Sequence, residues 1–395
     1  MGRAHGLDAV GVAPAGPFAT TRGHLERRRT AGMHAGMAFT YRRPERSTDP
    51  GRALPGARAI VVGARSYRRA TAVPASESPA NPSGPSRQAG PSRFARPRGR
   101  VARYAWEDHY APLRAALAVV AHELEIAGWR CRVLADDNAL VDREAAYRAG
   151  VGWYGKNANL LLPGQGSWFV LGSVVTDAPV AAGVGRLADG CGSCTRCLEG
   201  CPTGAIVAPG VVDARRCLAW LLQAEGPFPL DHRAALGDRL YGCDDCQEVC
   251  PPNHRIERVD PAAAHGHDAE PVVDILELLA ATDDELMARH GRWYIPRRQA
   301  RYLRRNALVV LGNVADPESP AVAAALRRAL ADADPLVRGH GVWAARRLGR
   351  DDLLGEVAGL DHHPDPLVRA ELEAPVEART RRESALPTAV RVATS

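Results

Sequence analysis

The chain has 395 residues, 46% of them hydrophobic and 24% charged, with a net charge of +6 and a pI near 8.9. That length exceeds what a small metal-binding module needs and predicts two or three domains, each with its own core. No apolar run approaches the ~20 residues of a membrane span and no leader-like segment opens the chain, so a cytoplasmic protein without membrane contact is expected. The slight positive excess permits a polyanionic partner without requiring one. Lys156 is the single lysine among 51 basic residues. Arginine-rich coding accounts for the other basic residues, and the exception marks a place where a compact ammonium is wanted.

In chain order, GLDAVGVAPA predicts a short strand, HLERRRTAGMHAGMAF a helix entering a glycine-broken loop, and Ala59–Ala64 a buried strand. Residues 71–100 turn abruptly to Pro, Ser, Gly and Arg, the composition of a disordered or mobile insertion. Leu113, Leu117, Val120 and Leu124 share a helical face closed by Gly128. CRVLADD reads as a strand, DREAAYRAG as a helix, and NLLLPGQGSWFVLGSVVT as a hairpin turning at Pro163-Gly164. Strand, helix, strand and hairpin together predict a mixed α/β sheet over 1–184.

A cysteine-rich module follows at 185–255. CGSCTRCLEGCPTGA has the spacing C-x2-C-x2-C-x3-C-P, and GCDDCQEVCPPN has C-x2-C-x3-C-P, one ligand short of the same pattern. With Cys217 between them there are eight thiols, enough for two four-iron clusters. Zinc ribbons also use C-x2-C pairs, but a compact run ending in Cys-Pro fits iron–sulfur ligation better. In that pattern the fourth cysteine serves the other cluster. Cys191, Cys194 and Cys197 then take Cys250, while Cys201 joins Cys243, Cys246 and, least securely, Cys217. Cys131, left over in GWRCRVLA, reads as a buried strand residue.

Beyond the module, residues 256–373 change character. DPLVR occurs at 334 and again at 365, 31 residues apart, and YLRRNALVVLGN aligns Arg305 with Arg338 at a period of 33. Val322, Leu326 and Leu330 lie on one face of the intervening helix, so the region reads as a short HEAT-like solenoid. Residues 374–395 lack periodicity and read as a disordered tail. Whether the first strand, so close to the N-terminus, is preceded by missing sequence is left open.

Three further motifs bear on function. GVGWYGKN has the spacing of a P-loop, but Asn157 stands where Ser or Thr must bind magnesium and a helix precedes the first glycine. The glycines are expected instead to let the backbone approach a large flat ligand. Asp136 and Asp137 end an apolar strand, where either a functional carboxylate or a simple N-cap fits. From Arg289 to Arg305 there are seven arginines, no acidic residue, and three interleaved aromatics. Arg297, Arg298, Arg301, Arg304 and Arg305 are the candidate nucleic-acid contacts there, most of them placed on one helical face, against the alternative of a solvated surface.

The segment from DREAAYRAG through GWYGKN to SVVTD, the eight cysteines, GCDDCQEVCPPN, RRNALVVLGN and the earlier GMHAGMAF…LPGARAIVV closely resemble epoxyqueuosine reductase. The resemblance spans nearly the whole chain outside 71–100 and the tail. It implies a cobalamin-dependent iron–sulfur enzyme with a core similar to that of reductive dehalogenases, acting last in queuosine synthesis. It would reduce the epoxide on the modified wobble base of tRNA, with a C-terminal helical-repeat domain gripping the anticodon stem-loop. It also implies cob(II)alamin and two [4Fe-4S] clusters as cofactors, a low-potential donor of flavodoxin or ferredoxin type, and a monomer. The family's proton-donor aspartate falls on Asp136, although Asp137 and Asn138 replace the usual Thr and Gly. Tyr104, Asp136, Lys156, Asn157 and Asp244 fall in the stretches that surround the corrin. Ala219 stands where a serine is usual. The rival is a reductive dehalogenase-like enzyme of a small molecule, which leaves the arginine segment and the solenoid unexplained.

Overall fold

A computed structural model describes residues 2–69, 95–183, 185–259, 269–356 and 363–376. The chain divides into two compact units: residues 1–71, 102–224 and 243–270 form the first, and 72–101, 225–242 and 271–395 the second. The cysteine module is therefore no separate body. Residues 225–242, between its two motifs, belong with the helices.

The first unit is built on four strands, β1 (Ala9–Pro14), β2 (Ala59–Ser66), β3 (Cys131–Ala135) and β4 (Phe169–Thr176), in the order β1-β2-β4-β3. Every pairing is antiparallel, which replaces the expected mixed sheet. The expected hairpin at Pro163-Gly164 is reduced to one antiparallel bridge, Leu162 with Gly166. Leu160–Leu161 pairs with Trp153–Tyr154, which frees β4 to run between β2 and β3. The continuous apolar run of β2 has its reason in burial on both faces. Ile60, Val62 and Ala64 pack with Phe18, Ala145, Ala146 and Ala149. Val61, one residue out of phase, packs on the other side with Leu113, Leu117 and Val174. One face thus rests on α3 (Tyr110–Ile126) and the other on α4 (Asp142–Arg148). The remaining pieces used below are α1 (Ala19–Thr30) and α2 (Pro44–Ser47) before the sheet, and α5 (Arg196–Glu199) and α6 (Asp245–Glu248) in the cysteine loops.

Two glycines of GVGWYGKN have a role in the fold itself. A Cβ on Gly152 would lie 2.3 Å from the Leu161 carbonyl oxygen, and one on Gly155 2.3 Å from Leu161 Cδ1. Only a bare backbone lets the small Trp153–Leu161 ribbon close.

The second unit is mostly helical: α7 (Arg301–Val314), α8 (Pro320–Leu330), α9 (Pro335–Arg347), α10 (Asp352–Gly355) and α11 (Pro366–Glu373). Helix α9 packs against both α7 and α11, and α8 against α9 and α10. The DPLVR repeat proves to be a helix-start signal. Asp334 and Asp365 each accept a backbone N–H two residues on, at 2.8 Å, and a proline follows at the first helical position. Three short strands complete the unit, with Arg98–Val101 between Arg239–Tyr241 and Val272–Asp274. The predicted 71–100 insertion lies outside the described residues up to 94, and its last residues belong to this strand. Of the predicted tail, 377–395 lie outside the described residues.

Candidate active site

The turn after β3 separates the roles of three consecutive polar residues. Asp137 Oδ1 accepts the Ala139 N–H at 2.7 Å, the bond of a local turn. Asn138 is a latch: its Oδ1 accepts the Thr40 N–H at 3.0 Å, and its carbonyl accepts the Ser47 hydroxyl at 2.7 Å. Asp136 sits in the left-handed region, at φ 55, and its carboxylate makes no hydrogen bond or ion pair with a described residue. The alternative left open in the sequence is thereby decided in part. Asp137 is the turn residue and Asp136 holds a free carboxyl group. Although Asp136 is exposed, the protein around it raises its pKa by desolvation, opposed by Arg114 and reinforced by Asp137.

Facing it are groups that composition did not single out. Asp142, the first residue of α4, is raised well above the ordinary carboxyl range by burial and then by the charge of Asp136. Its Oδ1 is buried without a hydrogen-bond partner. Tyr110 is raised by burial and by the same two carboxylates. Burial raises Asp142, Tyr67, Tyr110, Tyr154 and Cys217, and the charge of Arg143 opposes that rise in each, so one arginine acts on all five groups. An acid at a helix start is the ordinary partner of the helix dipole and an arginine beside it an ordinary surface charge, so nothing marked Asp142 and Arg143 beforehand.

The two cysteine motifs cross. Helices α5 and α6 pack together, and a Cβ on Gly200 would lie 2.9 Å from Val249 Cγ2, so a glycine is needed between Cys197 and Cys201. The thiols' mutual repulsion sorts them into two sets. Cys250 is pushed up to about 11 by burial and then by Cys191, Cys197 and Cys194. Cys246 is raised well above the thiol range by burial and then by Cys243, Cys217, Asp244 and Cys201. Among the described residues no three His, Cys, Asp or Glu side chains gather around a single-ion point. The donor set is instead two groups of four soft sulfurs, which fits cubane clusters.

The second motif is fastened to the sheet. Gln247 Nε2 donates to Tyr67 Oη at 3.1 Å and to Ser167 Oγ at 3.0 Å, and Asn253 Oδ1 accepts the Ser167 N–H at 2.7 Å. Lys156 donates to the Gly192 carbonyl at 2.7 Å, and Asn157 Nδ2 to the Cys246 carbonyl at 3.2 Å. The single lysine thus holds the first cysteine loop and its neighbour the second. Asn157 Oδ1 also accepts the Asn159 N–H at 3.1 Å, a local turn bond, and the fastening of both cysteine loops is a use the sequence did not reveal. Asp244 is buried, its Oδ2 accepting the Arg103 N–H at 2.6 Å, and Tyr104 Oη accepts from Gln223 at 2.9 Å.

The second unit changes the reading of the arginine segment. Arg305 is fully buried, bonded to Asn306 Oδ1 and the Gly226 carbonyl, its pKa lowered to about 9 by desolvation. It holds the helix in place and offers nothing to a phosphate, which corrects its assignment. Arg297 and Arg298 lie in a turn before α7, both with positive φ, and share no helical face with the rest. Arg297 pairs with Glu225, Arg301 with Asp334, and Arg304 with Asp283.

An antiparallel sheet carrying two crossed cysteine motifs defines an iron–sulfur protein of the double-cluster class. Residues 190–253 match the 4Fe-4S double cluster binding domain family. The chain is 30% identical over 355 residues to an epoxyqueuosine reductase of Bacillus cereus, covering 88% of this chain and 87% of that protein. It is similar to a crystal structure of epoxyqueuosine reductase with an epoxyqueuosine-modified tRNA-Tyr stem loop, with TM-score 0.78, 29% identity, and coverage of 94% and 95%. A Bacillus subtilis epoxyqueuosine reductase whose catalytic aspartate loop is swung out of the active site matches at TM-score 0.76 and 28% identity, with the same coverage. The chain belongs to the epoxyqueuosine reductase family.

Proposed function

We propose that this protein reduces epoxyqueuosine to queuosine at the wobble position of tRNA, with Asp136 as proton donor. Family membership supports the reaction, and the relative bound to a modified stem loop supports tRNA as the substrate. The observation that carries the residue assignment is the carboxyl group of Asp136, held on a left-handed turn without a described hydrogen-bond partner and raised by desolvation, near the buried Asp142 whose Oδ1 lacks a partner. Converting the epoxide to an alkene consumes two electrons and two protons and releases water. A carboxyl group with a raised pKa keeps its proton available for the departing oxygen.

Two [4Fe-4S] clusters are assigned to Cys191, Cys194, Cys197 and Cys250, and to Cys201, Cys217, Cys243 and Cys246. When bound, cobalamin supplies a low-potential cobalt nucleophile. Tyr104 and Asp244 would stand in its wall, with Arg143 and the three phenols supplying polar groups toward it, while Lys156 and Asn157 hold the cluster loops. The row α7, α9 and α11 fits a HEAT-like repeat that takes the anticodon stem-loop, with Arg297, Arg298, Arg301 and Arg304 near its start. A flavodoxin- or ferredoxin-type donor and a monomeric enzyme complete the reading.

The test is turnover of an epoxyqueuosine-containing stem-loop by anaerobically reconstituted protein, read by nucleoside mass spectrometry. Wild-type protein is expected to yield queuosine. Asp136→Asn should lose at least about 100-fold in kcat while keeping its iron and stem-loop affinity. Asp137→Asn should stay within a few-fold of wild type. An intact epoxide with the loaded wild-type protein would sink the reaction; normal turnover by Asp136→Asn would sink the acid.

A further inference from the structure

We infer that the first unit carries its own RNA phosphate site, a cleft walled by Arg42, Arg43 and Arg46. The inference rests on the reading of tRNA as substrate and locates where its backbone meets the catalytic unit. The cleft measures about 280 Å³ and is lined by Ala38, Thr40, Arg42, Arg43, Arg46, Ser47 and Asn138. Three arginines line it together with two hydroxyl residues and an amide, and no carboxylate lines it.

The three arginines are exposed and make no ion pair among the described residues. Arg130, Arg148, Arg215, Arg233 and Arg327, by contrast, all hold acids. Unpaired guanidinium groups gathered in one concavity are the donor set for a phosphodiester, which they can grip in bidentate fashion.

Position gives the cleft its role. Asn138 lines it and lies two residues from Asp136, and its two bonds to Thr40 and Ser47 tie the cleft wall to the Asp136 turn. Thr40 and Asp136 are both held in the left-handed region, at φ 57 and 55. For β-branched Thr40 that conformation is a genuine outlier, of the kind that persists where surrounding contacts over-determine it. A phosphate seated on the arginines would set the neighbouring nucleoside's distance from the Asp136 carboxyl group. The arginines position; they do not react.

The test uses Arg42→Ala/Arg46→Ala in the reconstituted full-length protein, with Arg52→Ala as a control because that exposed arginine faces Asp49. Stem-loop binding is followed by fluorescence anisotropy across a salt series, with iron content as the check on folding. The double variant should bind at least about tenfold more weakly, with a log–log salt slope shallower by about 1.4 for two lost single-strand contacts. KM should rise by more than kcat falls. Arg46→Lys should recover part of the affinity. Unchanged affinity and slope in the double variant overturn the site. So does an inorganic phosphate isotherm that the double variant loses while its stem-loop binding stays intact, since the cleft would then hold a free anion. If wild-type protein binds the stem-loop yet leaves the epoxide intact, the reaction fails while this site stands.

Discussion

The two units put the same residue to opposite uses. In the helical unit, arginines are consumed by the fold: Arg233 makes two bonds to Glu371 in the core, Arg305 is buried, and Arg327 is paired with Glu356. In the sheet unit, Arg42, Arg43 and Arg46 line a cleft that no acid lines, and they make no ion pair among the described residues. Density of basic residues along a chain therefore says little about which of them meet a ligand. What matters is whether folding has already supplied a counter-charge, because a paired guanidinium must give up one partner to gain another.

The comparison can be broken most severely at the cysteines, where the sheet unit's chemistry resides. Cys217→Ser should remove one cluster, leaving about four of about eight irons and abolishing turnover. Full iron content in that variant would remove Cys217 from the set. Next in size is the helical unit's buried pair. Arg233→Ala strands the Glu371 carboxylate and should cost about 3–5 kcal/mol of that unit's stability. Denaturant unfolding followed through Trp343, which lies 5.4 Å from the Arg233 guanidinium, would report it. Arg327→Ala, which breaks an exposed pair, should produce no measurable change. Equal effects of the two would erase the distinction between structural and solvated arginines.

The smallest effect concerns His340. Its Nδ1 donates to the Leu336 carbonyl at 2.7 Å and its Nε2 accepts the Phe228 N–H at 3.1 Å, a neutral imidazole with both nitrogens used. Burial and then Arg233 hold its pKa well below 6.5. The folded state thus binds fewer protons than the unfolded state. The stabilisation is complete above about pH 6.5 and is lost progressively as pH falls below it. The protection factor of the Phe228 amide, its exchange rate relative to the intrinsic rate at the same pH, should fall on acidification over that range, and His340→Gln should flatten the dependence.

Several features were legible in advance. The cysteine spacing gave the double-cluster class, since short-range covalent geometry limits which thiols one loop can present, and residues 190–253 match the 4Fe-4S double cluster family. The β2 run and the helix ending at Gly128 were read from local pattern, whereas the two DPLVR stretches were read as a repeat and only the fold showed each to start a helix. The sheet's direction was not, because antiparallel and parallel neighbours share one strand pattern and only the path of the connections distinguishes them. Nor was the hairpin, where a real turn at Pro163-Gly164 joins strands of different sheets.

At the site the same division holds. An aspartate after an apolar strand pointed to Asp136 or Asp137, and only the bond from Ala139 removed Asp137 from contention. Asp142, Arg143 and the arginine cleft carried no local signal, because a charged residue at a helix start or in a loop looks the same whether it faces solvent or a ligand. The sequence by itself determined the thiols and their spacing, properties that act within a few residues. Tertiary structure alone decided which charges were left unpaired, because pairing depends on which distant carboxylate the fold brings within reach.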